Sequence, residues 1–437
     1  MVMKKGLFLS LLVLAVAMGL LMGPFAGGVA AKAKEIKIGV IYPLSGAFAA
    51  AGRDLRNGAE LALDVLNNRY PELGISIAKW EGIPSLKGAK IKLIFADHRG
   101  EPGRGADLAK RLIMDEKVVG LMGCYHSSVT KTVSAVAERY GVPMINGSST
   151  SPVLTKRGFK WFWRTTPHDE TFTKDLFEFL KGLTEGKVRG LKAVPKEEIK
   201  RIAYACENTE WGSSVAKVIE QMAKEYGFDV VKGILYSAKS PDLTTESQAL
   251  VAAKPDCMLF TSYISDAILF VRTLKSMKAS PKVVWGQDAG FEIPDFRATL
   301  GKDVHGILTR TVFIPKVVKV KKAAGKINAL FKKRYGTDLT GASGRAFVAL
   351  QTWAHVLNAA GSTDPKAIQK AANELFIPAK ELIMPWGGVK FDKTGQNVLG
   401  TGLIGQYQAK GGKVELEIVY PFDLATADMV YPFTTWK

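Results

Sequence analysis

At 437 residues the chain predicts two or three domains, and with 47% hydrophobic residues it can bury large cores. Its formal charge of +19 is scattered, with local clusters at 316–326 and 181–201. The aromatics sit mostly in apolar strand patterns, which excludes a nucleic-acid binder and leaves a solvated basic surface, or one drawn to anionic lipid or an acidic partner at a membrane.

Lys4 and Lys5 precede an uncharged apolar run over 6–22, and small residues Ala30, Ala31 and Ala33 follow. That is the pattern of a cleaved secretory signal over 1–31, so an exported, periplasmic protein is expected. No cysteine stands near the cut, so no lipid anchor is expected. No later stretch is long and apolar enough to span a bilayer.

A strand is predicted at 37–42, ending in Pro43-Leu44-Ser45-Gly46. A loop of small residues leads through 47–51 to Gly52. A helix then carries Leu55, Ala59, Ala62 and Leu66 at 3.6-residue spacing. Such a loop opens a crevice at the end of a parallel strand. It carries no acid, base, thiol or metal ligand, and so is suited to holding a molecule rather than transforming it.

Further strands are predicted at 91–96, 118–123 and 142–146, with helices at 103–117 and 127–140. After Arg164-Thr165-Thr166-Pro167 the pattern restarts. Strands follow at 201–206, 228–235, 256–261 and 282–286, with helices at 212–226, 243–253 and 266–278. These are two successive parallel α/β units. Cys206 ends one strand of the second unit and Cys257 begins another, so in a parallel pair the thiols stand at opposite ends. With Cys124 in the other half, no disulfide framework is expected.

The last third has a strand at 305–311, helices at 317–335 and 344–360, and a β-like end at 402–408 and 414–420. It holds no third complete unit and is read as the chain returning to finish the first two. The predicted fold is therefore α/β, with two doubly wound parallel-sheet lobes joined by a three-crossover hinge. Lobe I takes 32–166 with 313–395, and lobe II takes 167–312 with 396–437. The crossings fall near Thr166, Val312 and Gln396. Segments 71–89 and 181–200 read as surface elaborations.

The strand ends carry the candidate chemistry. Ser127 follows a strand and opens a helix, where it reads as an N-cap beside free backbone N–H groups. The loop after the next strand holds Ser148, Ser149 and Thr150, a dense set of donors. Two such loops converge on one carboxylate-sized group. In the second half Trp211, Tyr263 and Asp288 follow strand ends. Aromatic faces and a carboxylate suit an ammonium group with an apolar side chain. The plain alternatives are a capping serine, a turn acid and core aromatics.

Enzyme readings are weak. Cys124 and His126, with Asp97 and His98, match no zinc spacing. Gly103-Arg104-Gly105 has Leu108 where a dinucleotide loop needs its third glycine, and no phosphate loop or nucleophile elbow occurs. No catalytic residue, metal or cofactor is expected.

The order and spacing of these segments resemble the periplasmic leucine/isoleucine/valine-binding proteins. The resemblance runs through Pro43-Leu44-Ser45-Gly46 and Asn57-Gly58-Ala59-Glu60-Leu61-Ala62. It continues through Gly141-Val142-Pro143, Ser149-Thr150-Ser151-Pro152 and Phe162-Trp163-Arg164-Thr165 to Val389-Lys390-Phe391-Asp392. It implies a type I periplasmic binding fold, a Venus flytrap that closes over an amino acid and works with a separate ABC permease and ATPase. By that resemblance Ser127 and the Ser149/Thr150 loop hold the ligand's α-carboxylate, Asp288 takes its ammonium, and Trp211 and Tyr263 form the wall. Ala51 lies where branched-chain binders present a ring from the first loop. The ligand implied is a small carboxylate, chiefly an apolar or branched-chain amino acid, bound by a monomer. Relatives on this scaffold also take aromatic acids, amides and urea-like compounds. A sensory ligand-binding module is the reading from another class.

Overall fold

The computed structural model describes residues 35–436, so the signal expected over 1–31 lies outside the described residues. The first sheet comprises β1 (Ile36–Tyr42), β2 (Ile91–Asp97), β3 (Gly120–Gly123), β4 (Met144–Asn146) and β5 (Phe162–Arg164), in the order β2-β1-β3-β4-β5. All its pairs are parallel. Helices α1 (Ala49–Asn67), α2 (Pro102–Met114) and α3 (Ser127–Tyr140) make the crossovers. β1 and β3 are almost wholly buried, as expected of parallel strands covered on both faces.

The chain leaves this sheet after Arg164 and enters α4 (Asp169–Thr184), a helix the sequence reading did not include. Its amphipathic face buries Phe172, Leu176, Phe177 and Leu180. The segment read as an elaboration from 181 onward is thus in part the end of this helix, and its Val188, Val194 and Ile199 are buried. The second sheet follows with β6 (Arg201–Glu207), β7 (Asp229–Tyr236), β8 (Cys257–Thr261), β9 (Val283–Gly286) and β10 (Leu308–Thr311). Helices α5 (Glu210–Tyr226), α6 (Thr244–Ala252), α7 (Ile264–Ser276) and α8 (Pro294–Leu300) lie between them. Cys206 stands opposite Thr261 and Cys257 opposite Ile202, so the two thiols are at opposite ends of their pair; all three cysteines are free and buried.

After β10 the chain runs through α9 (Lys322–Tyr335) and α10 (Gly341–Ala360), then α11 (Pro365–Asn373) and a small antiparallel pair, β11 (Phe376–Pro378) and β12 (Gly388–Lys390). The long helix expected over 317–335 is divided: Pro315–Lys319 is a 3-10 turn, and α9 begins beyond it. β13 (Leu403–Lys410) and β14 (Lys413–Tyr420) add antiparallel to β10, giving the seven-stranded order β14-β13-β10-β9-β8-β6-β7.

α10 packs on α1. A Cβ at Gly58 would stand 2.0 Å from the Ser343 carbonyl oxygen, so only glycine permits this approach. The Asp54 carboxylate accepts the Ser343 N–H at 3.2 Å and the Thr340 hydroxyl, tying α1 to the start of α10. The segment 71–89 folds into three short 3-10 turns with Ile75, Ile77 and Ile83 buried, and Trp80 packs edge-on to His355 of α10. It belongs to the core rather than to the surface.

Where the chain passes between sheets its segments are bonded to one another. Arg164 Nε donates to Gln396 Oε1 at 2.6 Å. The Gln396 and Asn397 amides donate to the Thr166 and Thr165 carbonyls, each at 2.9 Å. These groups are buried, so their bonds are made in a low-dielectric setting where loss is costly.

Candidate functional site

The first loop is shorter than its sequence suggests. A 3-10 turn at Gly46–Phe48 leads directly into α1, which starts at Ala49 rather than beyond Gly52. Gly52 is a packing residue inside the helix: a Cβ there would stand 1.9 Å from the Pro43 carbonyl oxygen. Ala51 lies in the core and does not line the cavity. The ring of this loop is Phe48, a buried core residue outside the cavity lining, whose centroid lies 4.3 Å from His126 and 5.1 Å from Tyr263. Tyr263 caps α7 just after β8 of the second sheet, so Phe48 reaches across the gap to it.

Ser148, Thr150, Trp211, Tyr263 and Asp288 line one cavity between the carboxyl ends of the two sheets. Tyr125, Ala289, Arg310 and Arg345 complete it. Ser127 and Ser149 lie behind it. His126, not Ser127, is the N-cap position of α3; Ser127 Oγ accepts the Ser151 N–H at 3.3 Å. Ser149 Oγ is 2.6 Å from Thr130 Oγ1, and Asn146 Oδ1 takes the N–H groups of Ser148 and Ser149 at 3.0 Å each. The loop is therefore shaped from within, and only Ser148 and Thr150 face the cavity. Tyr125 (φ 114°), Asp288 (φ 60°) and Ala289 (φ 41°) hold left-handed backbone at the cavity wall, the strain expected where a site over-determines its geometry.

Two buried arginines dominate the electrostatics. Arg310, at the end of β10, donates from Nη2 to Asp169 Oδ1 at 3.1 Å, and its Nη1 lies 2.6 Å from Asp288 Oδ2, out of line for a hydrogen bond. Its guanidinium stacks 3.8 Å from the Phe172 ring centroid. Arg345, on α10, donates from Nη2 to Asp288 Oδ2 at 2.5 Å. Burial pushes the Asp288 carboxyl up, but the Arg310 and Arg345 guanidiniums pull it below the ordinary aspartate value. Asp288 thus stands as a carboxylate already neutralised by guanidinium, with its other oxygen taking the Ala289 N–H. The expectation that it waits for an ammonium group does not match this arrangement.

On residues lining the cavity, Arg310 Nε and Nη1, Arg345 Nε, Trp211 Nε1 and Ser148 Oγ are buried without a hydrogen-bond partner, as are the acceptors Asp169 Oδ2 and Glu292 Oε1 behind them. The five lining groups can donate, and a buried donor left unmatched costs about 1–3 kcal/mol. Aromatic faces from Tyr125, Trp211 and Tyr263 form the rest of the wall, with Trp211 and Tyr263 centroids 5.1 Å apart. Buried guanidiniums, carboxylates and aromatic rings therefore meet at one narrow cavity.

Sequence reasoning missed Arg310, Arg345, Glu292, Tyr125 and Phe48. The signal for the arginines was present: Arg310 interrupts the strand pattern over 305–311, and Arg345 the apolar helix over 344–360. A lone charge inside a buried element requires a partner. Cys124, considered as a nucleophile, has its thiol pushed up to about 12 by burial, and no metal-binding cluster occurs among the described residues.

Burial also holds the His98 and His355 imidazoles down to about 4. Unfolded histidine titrates near 6.5, so below that pH the unfolded chain binds more protons, and the stabilisation is lost as pH falls from about 6.5 to about 4. The cost approaches about 3 kcal/mol for each histidine at the acid end. His355→Phe is expected to lessen the fall in Tm between pH 7 and 4.5; an unchanged fall would contradict the buried neutral state.

The chain matches the family model described as "Periplasmic binding protein" over residues 35–413. Leu/Ile/Val-binding protein homolog 7 of Brucella suis biovar 1 (strain 1330) is 28% identical over 408 residues, covering 93% of this chain and 96% of that protein. The leucine-binding protein LivK of Thermotoga maritima MSB8 superposes with a TM-score of 0.71 at 21% identity, over 89% of this chain and 99% of that one. A solute-binding protein of an ABC transporter from Rhodopseudomonas palustris BisB5, solved with 3,4-dihydroxybenzoic acid, gives 0.71 at 18% identity, over 91% and 98%. Among the described residues no helix is long and apolar enough to cross a membrane. With two α/β sheets, a donor-lined cavity between them and a family match over residues 35–413, the chain belongs to the periplasmic binding protein family, whose members are solute-binding proteins.

Proposed function

We propose that this chain is the extracytoplasmic substrate-binding component of an ABC importer, and that it closes two lobes over a small carboxylate with an apolar or aromatic body and no ammonium group. The observation that carries this reading is the set of unpartnered buried donors around one ring-lined cavity. A carboxylate supplies the acceptors these donors lack. An ammonium group would have to displace a guanidinium from Asp288, exchanging one ion pair for another at no gain. The Rhodopseudomonas palustris protein is a precedent for an aromatic acid on this fold. The second reading is a branched-chain amino acid, favoured by the names of the Brucella relatives.

The proposed lobes are 32–166 with 313–395 and 167–312 with 396–437. A permease and its ATPase, as separate membrane-associated chains, would receive the ligand. Closure would be favoured because only the closed state brings Arg345 of one lobe to Asp288 of the other, with the ligand beside that pair. Calorimetric titration tests the ligand class. Benzoate is expected to bind at least about tenfold more tightly than leucine, a difference of about 1.4 kcal/mol. Tight leucine binding with no benzoate binding would overturn the reading.

A latch at the rim supports the closed state. Glu210 of α5 takes Lys131 Nζ of α3 at 2.7 Å and the hydroxyl of Ser151, in the loop after β4, at 3.0 Å, both from the side of the first sheet. Glu210→Ala removes two partly exposed bonds together worth about 1 kcal/mol. Apparent ligand affinity is expected to fall about fivefold although Glu210 touches no ligand, because the competent closed state is less populated. An unchanged affinity in calorimetry would show that the latch does not bias closure.

A further inference from the structure

Glu292 lies immediately behind the cavity and is 6% exposed. Its Oε2 accepts the Thr311 hydroxyl at 2.7 Å. Its Oε1 has no hydrogen-bond donor and stands 3.5 Å from Arg345 Nη2, which already serves Asp288 at 2.5 Å. Gly341 closes the other side: a Cβ there would lie 2.2 Å from Glu292 Oε2, so α10 presses its backbone directly against this acid. Two carboxyls thus share one edge of one guanidinium. Two negative charges so placed do not both ionise at neutral pH.

The charged and titratable groups facing Glu292 come from every neighbouring element. Asp288 precedes it in its own turn, Arg310 comes from β10, and Arg345 from α10. Tyr125 from the loop after β3 and Tyr407 from β13 also lie within its field. On the solvent side a cleft lined by Arg297 and Asp338 gives the acid a route to water. Burial and the adjacent Asp288 push its carboxyl well above the usual range, and Arg345 offsets only part of this.

We propose that Glu292 carries a proton, and that this proton lets the cavity accept a carboxylate ligand. The inference rests on the reading that the cavity takes a carboxylate. With Glu292 neutral, the ion-paired buried charges are the guanidiniums of Arg310 and Arg345 against the carboxylates of Asp169 and Asp288, and they balance. An ionised Glu292, 3.5 Å from Arg345 Nη2, would leave this cluster net negative and oppose an anionic ligand, so binding an anion and holding this proton are linked.

Two measurements separate this proposal from the ligand reading. Infrared difference spectra of the unliganded protein at pH 7, wild type minus Glu292→Gln, report the acid directly. The C=O stretch of a protonated carboxyl is expected, and ionised carboxylate bands instead would overturn the proposal whatever the ligand. Calorimetric titration with benzoate from pH 6 to 10 reports the linkage. Wild-type affinity is expected to fall by about tenfold per pH unit once the acid ionises, with one proton taken up per benzoate bound. Glu292→Gln cannot ionise and is expected to lack that fall; parallel falls in both proteins would overturn the linkage. A protonated acid in a protein that binds leucine and not benzoate would reject the carboxylate reading and the linkage with it. Benzoate binding with an ionised acid would reject the proton alone.

Discussion

Arg345→Ala is expected to abolish carboxylate binding and to destabilise the protein. Arg345 is 1% exposed and is the guanidinium that joins α10 to Asp288 across the gap between sheets. Its removal leaves both the Asp288 carboxylate and the Glu292 acid with only the Arg310 guanidinium nearby. Deleting one partner of a buried ion pair costs about 3–5 kcal/mol, because the other charge stays buried. Calorimetry should show an affinity loss of at least about a hundredfold, equivalent to about 2.7 kcal/mol. Asp288→Asn added to Arg345→Met should recover stability but not binding, since it removes the orphaned charge without restoring the clamp. Retention of benzoate affinity in Arg345→Ala would sink the assignment.

The second large effect lies outside the cavity. Gly58→Ala would place a methyl 2.0 Å from the Ser343 carbonyl oxygen and 2.7 Å from its carbon. Backbone cannot yield as a side-chain tip can, so α1 and α10 must separate by more than an ångström-scale adjustment. Overpacking of this kind costs about 1–3 kcal/mol, and this contact should fall at the upper end. The Asp54 bonds to Thr340 and the Ser343 N–H weaken with it. Arg345 sits two residues beyond Ser343, so ligand affinity should fall together with Tm. Gly103→Ala is the control: it lies in α2 with nothing within 4 Å of the added methyl, and should be neutral or slightly stabilising. Equal Tm values for the two variants would contradict the close helix approach.

The repeating strand and helix periods made the two parallel units legible. β1 and β6 are apolar runs ended by turn residues, and α3 and α5 carry their apolar stripes at helical spacing. α4 was hidden because its start, Asp169-Glu170-Thr171, follows Pro167 and reads as a polar loop, while its buried face appears only once Phe172, Leu176 and Phe177 are set against a neighbour. In the site, Ser148, Thr150, Trp211, Tyr263 and Asp288 were legible because they stand at the carboxyl ends of strands. Phe48 was lost because a loop of small residues was drawn too long, and the helix began three residues earlier than Gly52 suggested.

The arginines were missed for a different reason. Arg310 and Arg345 are far apart in sequence and come from a strand and a helix that only the fold brings together. Periodicity reports which face of an element is buried, but not which buried charges meet. Asp288 alone therefore reads as an acid awaiting a cation, whereas in the fold it is already paired with two guanidiniums. That change moves the reading from an amino acid toward a simple carboxylate.

The central claim is that buried guanidiniums, rather than Asp288, receive the ligand's charged group. A crystal structure of the protein with benzoate tests this most directly. The account predicts the benzoate carboxylate within hydrogen-bond reach of Arg310 and Arg345, its ring against Trp211 and Tyr263, and the Asp288–Arg345 pair intact. Density for the carboxylate elsewhere, or a leucine complex with its ammonium on Asp288 and the arginines displaced, would contradict it.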